Sequence, residues 1–402
     1  DSRVMLSLKP DDLHNAGDVQ VFDTESRDIL KDEAYARVFD AVKKVSALNK
    51  DVLFYKKTDS TLRGHVGAEL EAAFKASNSN LVLFAPAFVK AGRTTLHGIM
   101  YMHGVEIART ELASIPKSPI TESYIPKIIA KESSLKCAVL DADILNKGEQ
   151  ALAEAVREFI SQDIQVVICD VTKEEHLDMI CSAGLKLRSQ QFKVLFAGSA
   201  GLAACLGKYF EKSKSSQVQK VSAQKILVLA GSISEITRDQ VKVLEREGRC
   251  FTFKANAAEV VEDPASTAKV DAVKILKQLN DHDVLQVCAA YEASDVEKSA
   301  ETAKNLAISF FEAGERTAEY MAALAKILSP YFDAMVMTGG DTAVHACNAI
   351  DAGSFQILKE VEAGIPLSMI TSGKEKGKYL VTKAGAFGTA NAFKKSVEVL
   401  SF

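Results

Sequence analysis

The feature that most constrains this chain is a recurring short apolar run, four residues or fewer, followed by a polar or glycine-containing turn and then a helical pattern. Such runs occupy residues 19–22, 52–55, 81–84, 138–140, 166–169 and 194–196, and then 226–229, 284–287, 335–337 and 379–381. Uninterrupted apolar runs of this length are what strands buried on both faces require, and helices between them impose parallel pairing. At 402 residues the chain is too long for a single core. Residues 211–220 are polar without apolar periodicity and read as the linker. The expected fold class is therefore α/β: two α/β domains with mostly parallel sheets and a cleft between them, over 1–215 and 221–402.

Composition narrows the partners. Hydrophobic residues make up 47% and charged residues 25%, as in ordinary globular chains, and the formal charge of −4 argues against nucleic acid as a partner. Nothing resembles a signal peptide or an 18-residue apolar span, so a cytoplasmic protein without membrane contact is expected. Seven scattered cysteines, with no Cys-x-x-Cys, read as reduced core thiols. No His-Glu-x-x-His is present, no protein zinc site is expected, and His176 after two glutamates reads as a helix-start residue.

The densest chemistry follows the run at 52–55. Lys56-Lys57-Thr58-Asp59-Ser60-Thr61-Leu62-Arg63-Gly64 brings ammonium, carboxylate, hydroxyl and guanidinium groups together at the carboxyl end of a predicted strand, before a predicted helix starting near Gly67. In open α/β sheets that end is where ligands bind, and these groups suit a small polyhydroxy acid. The bland alternative is that Asp59 and Ser60 cap the helix while Arg63 pairs with Glu69 on its surface.

The second half carries three similar loops, each closing a buried strand before a helix: residues 230–234, 338–342 and 382–388. Glycine lets backbone amides approach an anion, and a helix start offers unpaired N–H groups and a positive dipole end. Asp341 is a candidate for Mg²⁺ through water, Ser232, Ser234 and Thr342 for donors to phosphate oxygens, and Lys383 for charge neutralisation. Each loop taken singly is also explained as a tight strand-to-helix turn. The Walker-type phosphate loop, Gly-x-Gly-x-x-Gly after a strand and Gly-x-Ser-x-Gly are all absent, which weighs against P-loop NTPases, nicotinamide-dependent dehydrogenases and serine hydrolases.

Taken together and in order, Asp23-Thr24-Glu25-Ser26-Arg27, Lys57-Thr58-Asp59-Ser60-Thr61-Leu62-Arg63-Gly64, Ala85-Pro86-Ala87-Phe88 with Gly92-Arg93-Thr94-Thr95, Ala197-Gly198-Ser199-Ala200-Gly201, Gly231-Ser232-Ile233-Ser234, Gly339-Gly340-Asp341-Thr342 and Lys383-Ala384-Gly385-Ala386-Phe387-Gly388 resemble the four-carbon acid sugar kinase family. The resemblance implies a sugar-acid-binding amino-terminal domain and a nucleotide-binding carboxy-terminal domain. It implies ATP with Mg²⁺ as cofactors, a sugar acid as partner and phosphorylation of the terminal hydroxyl; a homodimer is compatible with it. Carried over by position, Asp59 and Arg63 are the catalytic candidates, with Lys57, Ser60 and Arg93 on the sugar acid. Ser232, Ser234, Gly339, Gly340, Asp341, Thr342, Lys383 and Gly385 fall to ATP, and Asp341 to the metal. The Lys-x-Asp-Ser-Thr-Leu-Arg-Gly form looks more like the threonate and erythronate kinases than the oxo-tetronate branch, which stays as an alternative beside a non-catalytic sensor. The family's usual opening strand and Ala-Asp-Asp-x-Thr-Gly loop are expected to be missing here. Asp11-Asp12 is followed by Leu13-His14-Asn15 and reads as a solvated loop, so either the sequence omits an amino-terminal segment or part of the substrate site is lacking, and the base is expected to be Asp59 or a carboxylate of that loop.

Overall fold

A computed structural model of the protein describes residues 2–6, 18–49, 51–114, 119–210, 221–248 and 250–401. The Asp11-Asp12 pair and the expected linker 211–220 lie outside the described residues. The chain forms two compact units, one of Thr24–Lys212 and one of Asp1–Asp23 with Ser213–Phe402. In chain order the strands are β1 (Ser2–Met5), β2 (Val19–Phe22), β3 (Tyr55–Lys57), β4 (Leu81–Ala85), β5 (Arg93–Leu96), β6 (Ile99–Met102), β7 (Val105–Glu106), β8 (Cys137–Leu140), β9 (Val166–Cys169) and β10 (Val194–Gly198). They continue with β11 (Ile226–Ala230), β12 (Cys250–Lys254), β13 (Val284–Cys288), β14 (Ala334–Thr338), β15 (Ser354–Glu362), β16 (Ile365–Ile370) and β17 (Tyr379–Lys383).

The Thr24–Lys212 unit is built on a parallel sheet of order β3-β10-β4-β9-β8. Its central strand β4 shows why the apolar runs are uninterrupted. Leu81, Leu83 and Ala85 pack into one core with residues of the helices Glu149–Ser161, Glu174–Ser189 and Ala200–Gly207. Val82 and Phe84 point the other way, into a core with the helices Val66–Ser77 and Ile125–Ala130. Every β4 side chain is buried, and each large one stabilises the sheet by about 1.5–3 kcal/mol relative to exposure. Between β4 and β8 lies a small antiparallel sheet, β5-β6-β7, that the sequence reading does not contain. Its two turns are His97-Gly98 and His103-Gly104, with φ of 51° and 72°, and 50° and 80°. Both central residues in the left-handed region is the geometry that suits two-residue hairpins.

The strand expected at 52–55 is observed two to three residues later. β3 starts at Tyr55 and runs through Lys56 and Lys57, because the Thr58 amide donates to Gly198 O and fixes the register against β10. As the edge of its sheet β3 has one unpaired side, where lysines are tolerated.

The second unit holds a nine-stranded sheet of order β12-β13-β11-β14-β17-β16-β15-β1-β2. The first five strands are parallel; β16 and β15 continue as an antiparallel meander. β1 then pairs antiparallel to β15, with Val4 opposite Phe355, and β2 pairs parallel to β1. The first 23 residues therefore group with Ser213–Phe402 rather than within a 1–215 domain. The cause is the free edge of β15, whose unpaired N–H and C=O groups accept β1 as a further strand.

Candidate functional site

In the Thr24–Lys212 unit the polar loop lies at the carboxyl end of β3, as its sequence position requires. Two residues curl it back: Leu62 at φ 61°, with its side chain in the core, and Gly64 at φ 90°. The curl brings Arg63 onto Asp59, with Arg63 Nε donating to Asp59 Oδ2 at 2.5 Å. Thr61 adds its N–H to Oδ1 at 3.2 Å and its hydroxyl to Oδ2 at 2.9 Å. Burial alone pushes the Asp59 carboxyl up, but the Arg63 and Thr61 hydrogen bonds and the guanidinium charge outweigh it and hold Asp59 below the usual carboxylate range. Asp59 is thus a fixed carboxylate, and the cap reading is set aside, since the helix Val66–Ser77 is preceded by His65 without a side-chain cap.

Arg63 does not pair with Glu69. Glu69 is buried and accepts from Lys56 Nζ at 2.6 Å and the Ser26 hydroxyl at 2.5 Å, while Ser26 Oγ accepts from the Thr24 hydroxyl at 2.8 Å. This joins the segment around Thr24–Ser26 to the polar loop. Lys57 is exposed and donates to Thr58 O at 2.7 Å. The half-buried Ser60 hydroxyl has no protein partner among the described residues. The Thr58 hydroxyl, missed by the sequence reading, is buried and equally unpartnered.

Neighbouring strand ends complete this face. At the end of β10, Ser199 caps the helix Ala200–Gly207, its hydroxyl donating to Ala87 O at 2.5 Å and accepting from Gly201 N. Tyr55 OH donates to Ser199 O at 2.5 Å. Gly198 is required here: a Cβ would stand 2.2 Å from Ala85 O. Past β4, Arg93 Nη1 donates to Ala91 O at 2.8 Å, and its buried Nε has no partner among the described residues. No hydrogen bond or ion pair among the described residues joins Arg93 to the 57–63 loop, so Arg93 and Asp59 share the carboxyl side of the sheet without touching.

In the other unit the three glycine loops come from the adjacent strands β11, β14 and β17 and meet. Gly231 N donates to Thr338 O at 3.2 Å and Gly339 N to Lys383 O at 3.1 Å. Ser234 caps the helix Glu235–Arg246, and its hydroxyl lies 2.8 Å from Gly385 O. Gly385 O also accepts from Thr237 Oγ1 at 2.9 Å. A Cβ at Gly231 would stand 2.3 Å from Thr342 Oγ1, and one at Gly385 would stand 2.2 Å from Ser232 Oγ. Loop-on-loop contact therefore explains glycine at these two positions. Gly340 differs: it opens the helix Gly340–Ala349 with nothing within 4 Å of where a Cβ would be. The first N–H groups of that helix have no intrahelical partner and carry the positive end of the dipole. Asp341 is exposed in the same first turn.

Among the described residues the group best placed to hold a metal is His97, Asp141 and Asp170, and Asp341 is not in it. Asp170 accepts the N–H groups of His97 and Gly98, and His97 Nδ1 lies 3.1 Å from Asp141 Oδ2. That geometry anchors the β5–β6 turn. A Mg²⁺ at Asp341 would have one protein carboxylate, with phosphate oxygens and water supplying the rest, as is common for Mg²⁺.

The chain matches a sugar-binding N-terminal domain over residues 1–206 and a nucleotide-binding C-terminal domain over residues 227–393. It belongs to the four-carbon acid sugar kinase family. Among relatives of this kinase family, a D-threonate kinase of Salmonella typhimurium is 32% identical over 96% of this chain and 90% of its own length. A D-erythronate kinase of Heliobacterium modesticaldum is 27% identical over 98% of this chain and 90% of its own. The crystal structure of a Haemophilus influenzae protein shares the fold, with a TM-score of 0.82 at 19% identity over 99% of this chain and 94% of that one. The family's sugar-binding match includes residues 1–23, although in the fold these residues group with the other unit.

Proposed function

We propose that this kinase transfers the γ-phosphoryl group of ATP to the C4 hydroxyl of a four-carbon sugar acid such as D-threonate or D-erythronate, giving the 4-phosphate and ADP. The new bond joins the C4 oxygen to phosphorus as the bond to the β,γ-bridging oxygen breaks. The observation that carries this reading is the Asp59–Arg63 pair, held ionised beside the unpartnered hydroxyls of Ser60 and Thr58. Asp59 is the group that orients the substrate hydroxyl or accepts its proton as the phosphoryl group is transferred. Arg63 uses Nε on Asp59, which leaves its Nη groups for the substrate carboxylate, with Arg93, Lys57 and Ser60 as further contacts.

The glycine loops take the nucleotide: Ser232, Ser234, Gly339, Gly340, Thr342 and Gly385 near the phosphates, Lys383 behind them, and Asp341 on Mg²⁺. The metal would neutralise charge on the phosphates, and positioning supplies most of the remaining acceleration. A cytoplasmic location goes with this reading; among the described residues no helix is long and apolar enough to cross a membrane.

The test is ADP release with Mg·ATP and a panel of D- and L-threonate, D- and L-erythronate, 3-oxo-tetronates and glycerate. Turnover with one of the threonates or erythronates is expected. Turnover with an oxo-tetronate alone would move the substrate to the other branch of the family. ATP binding with no turnover on any of these acids would replace the kinase by a sensor.

A further inference from the structure

Lys383 is an ammonium without a counter-ion. It ends β17 with its side chain turned inward, 3% exposed. Its Nζ donates to Thr338 Oγ1 at 2.8 Å, to Gly385 O at 3.1 Å and to Thr237 Oγ1 at 3.5 Å. The ring of Phe393, from the helix Ala392–Ser401, lies 5.6 Å away. These four neighbours, from β14, from the loop after β17 and from two helices, are all neutral. No carboxylate forms an ion pair with it among the described residues, and no other charged group shifts its titration. Two half-buried cations of the other unit are treated differently: Lys56 lies on Glu69 and Arg63 on Asp59.

A buried charge without a partner is costly, and a chain that keeps one at the junction of three loops leaves a place for an anion. We propose that the nucleotide's phosphates are the missing counter-charge of Lys383, which acts through the Gly385 carbonyl and the Thr237 and Thr338 hydroxyls as a positioning residue coupling ATP binding to its own protonation. The proposal rests on the nucleotide reading of these loops. Burial lowers the Lys383 pKa to about 8, so the free protein holds this site partly uncharged in mildly alkaline solution. An adjacent anion favours the charged form and raises that pKa. Binding of ATP then takes up a proton, and affinity falls as pH rises through and above about 8. Below that range Lys383 is charged with or without nucleotide, and its contribution to affinity is flat.

The test is isothermal titration calorimetry of the full chain with Mg·ATP, Mg·ADP and adenosine, in buffers of different ionisation enthalpy, from pH 6.5 to 9. Uptake approaching about half a proton per nucleotide is expected near pH 8, and none with adenosine. In Lys383→Met this uptake disappears and ATP binds about tenfold more weakly at pH 7, while adenosine binding is unchanged. Comparison with the variant cancels protons belonging to ATP itself. Equal uptake in wild type and variant, or uptake with adenosine as large as with ATP, would overturn the inference while leaving the nucleotide site in place. Failure of wild type to bind ATP at all would remove both readings. The adenosine comparison needs only the wild-type chain, so a variant that does not fold cannot hide the answer.

Discussion

On the proposed reading the polar loop of residues 57–64 and the glycine loops around Lys383 both take an anion, yet they are built on opposite electrostatic plans. In the first, each buried or half-buried cation already has its carboxylate, Lys56 on Glu69 and Arg63 on Asp59. On the proposed reading a sugar acid entering there meets groups held in place by internal pairing, with the Arg63 Nη groups and the Ser60 hydroxyl as donors left over. In the second, recognition rests on helix starts and backbone N–H groups, and the one buried cation is unpaired. The difference teaches where each loop gets its geometry. Charge pairs orient the side chains of the first loop before a ligand arrives, whereas close loop-on-loop packing orients the second and leaves its charge for the ligand to complete.

The largest expected effect breaks the pairing plan. Asp59→Asn is expected to lower kcat by about 10²–10⁴-fold, with ATP affinity changed little, as read by steady-state kinetics beside calorimetry. Wild-type turnover in that variant would take Asp59 out of the reaction. Next, Lys56→Met leaves the Glu69 carboxylate buried without its cation, and a stability loss of about 3 kcal/mol in urea unfolding is expected. Lys56→Met with Glu69→Gln should recover most of it, and no recovery would mean that the pair does not hold the loop.

On the glycine side, Gly339→Ala forces a side chain onto φ 105°, at a cost of about 1–3 kcal/mol. Thermal unfolding and ATP affinity should both register it, while sugar-acid binding should not. The smallest effect is acidic. Glu362 accepts the Thr389 N–H and hydroxyl and pairs with Lys395; burial pushes its pKa up, but these contacts bring it down to about 2. Its stabilisation is present above the ordinary glutamate pKa near 4.5 and is lost as pH falls through about 2. Glu362→Gln should lower stability at neutral pH and flatten the profile over that acid range, so that variant and wild type converge towards pH 2.

Much of this was legible because it is local. The uninterrupted apolar runs at 81–84 and 226–229 announce doubly covered parallel strands, and glycine after such a run announces a turn into a helix. The strands that escaped are β1, β12, β16 and the half-exposed β15, which bears Lys359, Glu360 and Glu362, together with the short hairpins of β5–β7. In β12, β15 and β16 polar residues or proline interrupt the apolar ones, and the Ile99–Met102 run of β6 leads into a tight turn rather than a helix. Within the site, Thr237 lies outside every motif, and only the strand order decides which groups Thr58, Ser199 and Thr338 meet.

The sequence by itself therefore determined the α/β class, the two sets of strand-end loops and the chemistry each offers, since these follow from side-chain type and short-range period. Tertiary structure alone decided which charges cancel and which do not. Arg63 faces Asp59 because Leu62 and Gly64 adopt left-handed backbone, Glu69 is taken by Lys56, and Lys383 points inward among neutral groups because it is the last residue of a buried strand. It also decided that residues 2–5 and 19–22 extend the sheet of the second unit, because the free edge of β15 offers backbone hydrogen bonds irrespective of chain order. Electrostatic pairing and edge pairing act through space between residues far apart in the chain, so linear spacing does not encode them.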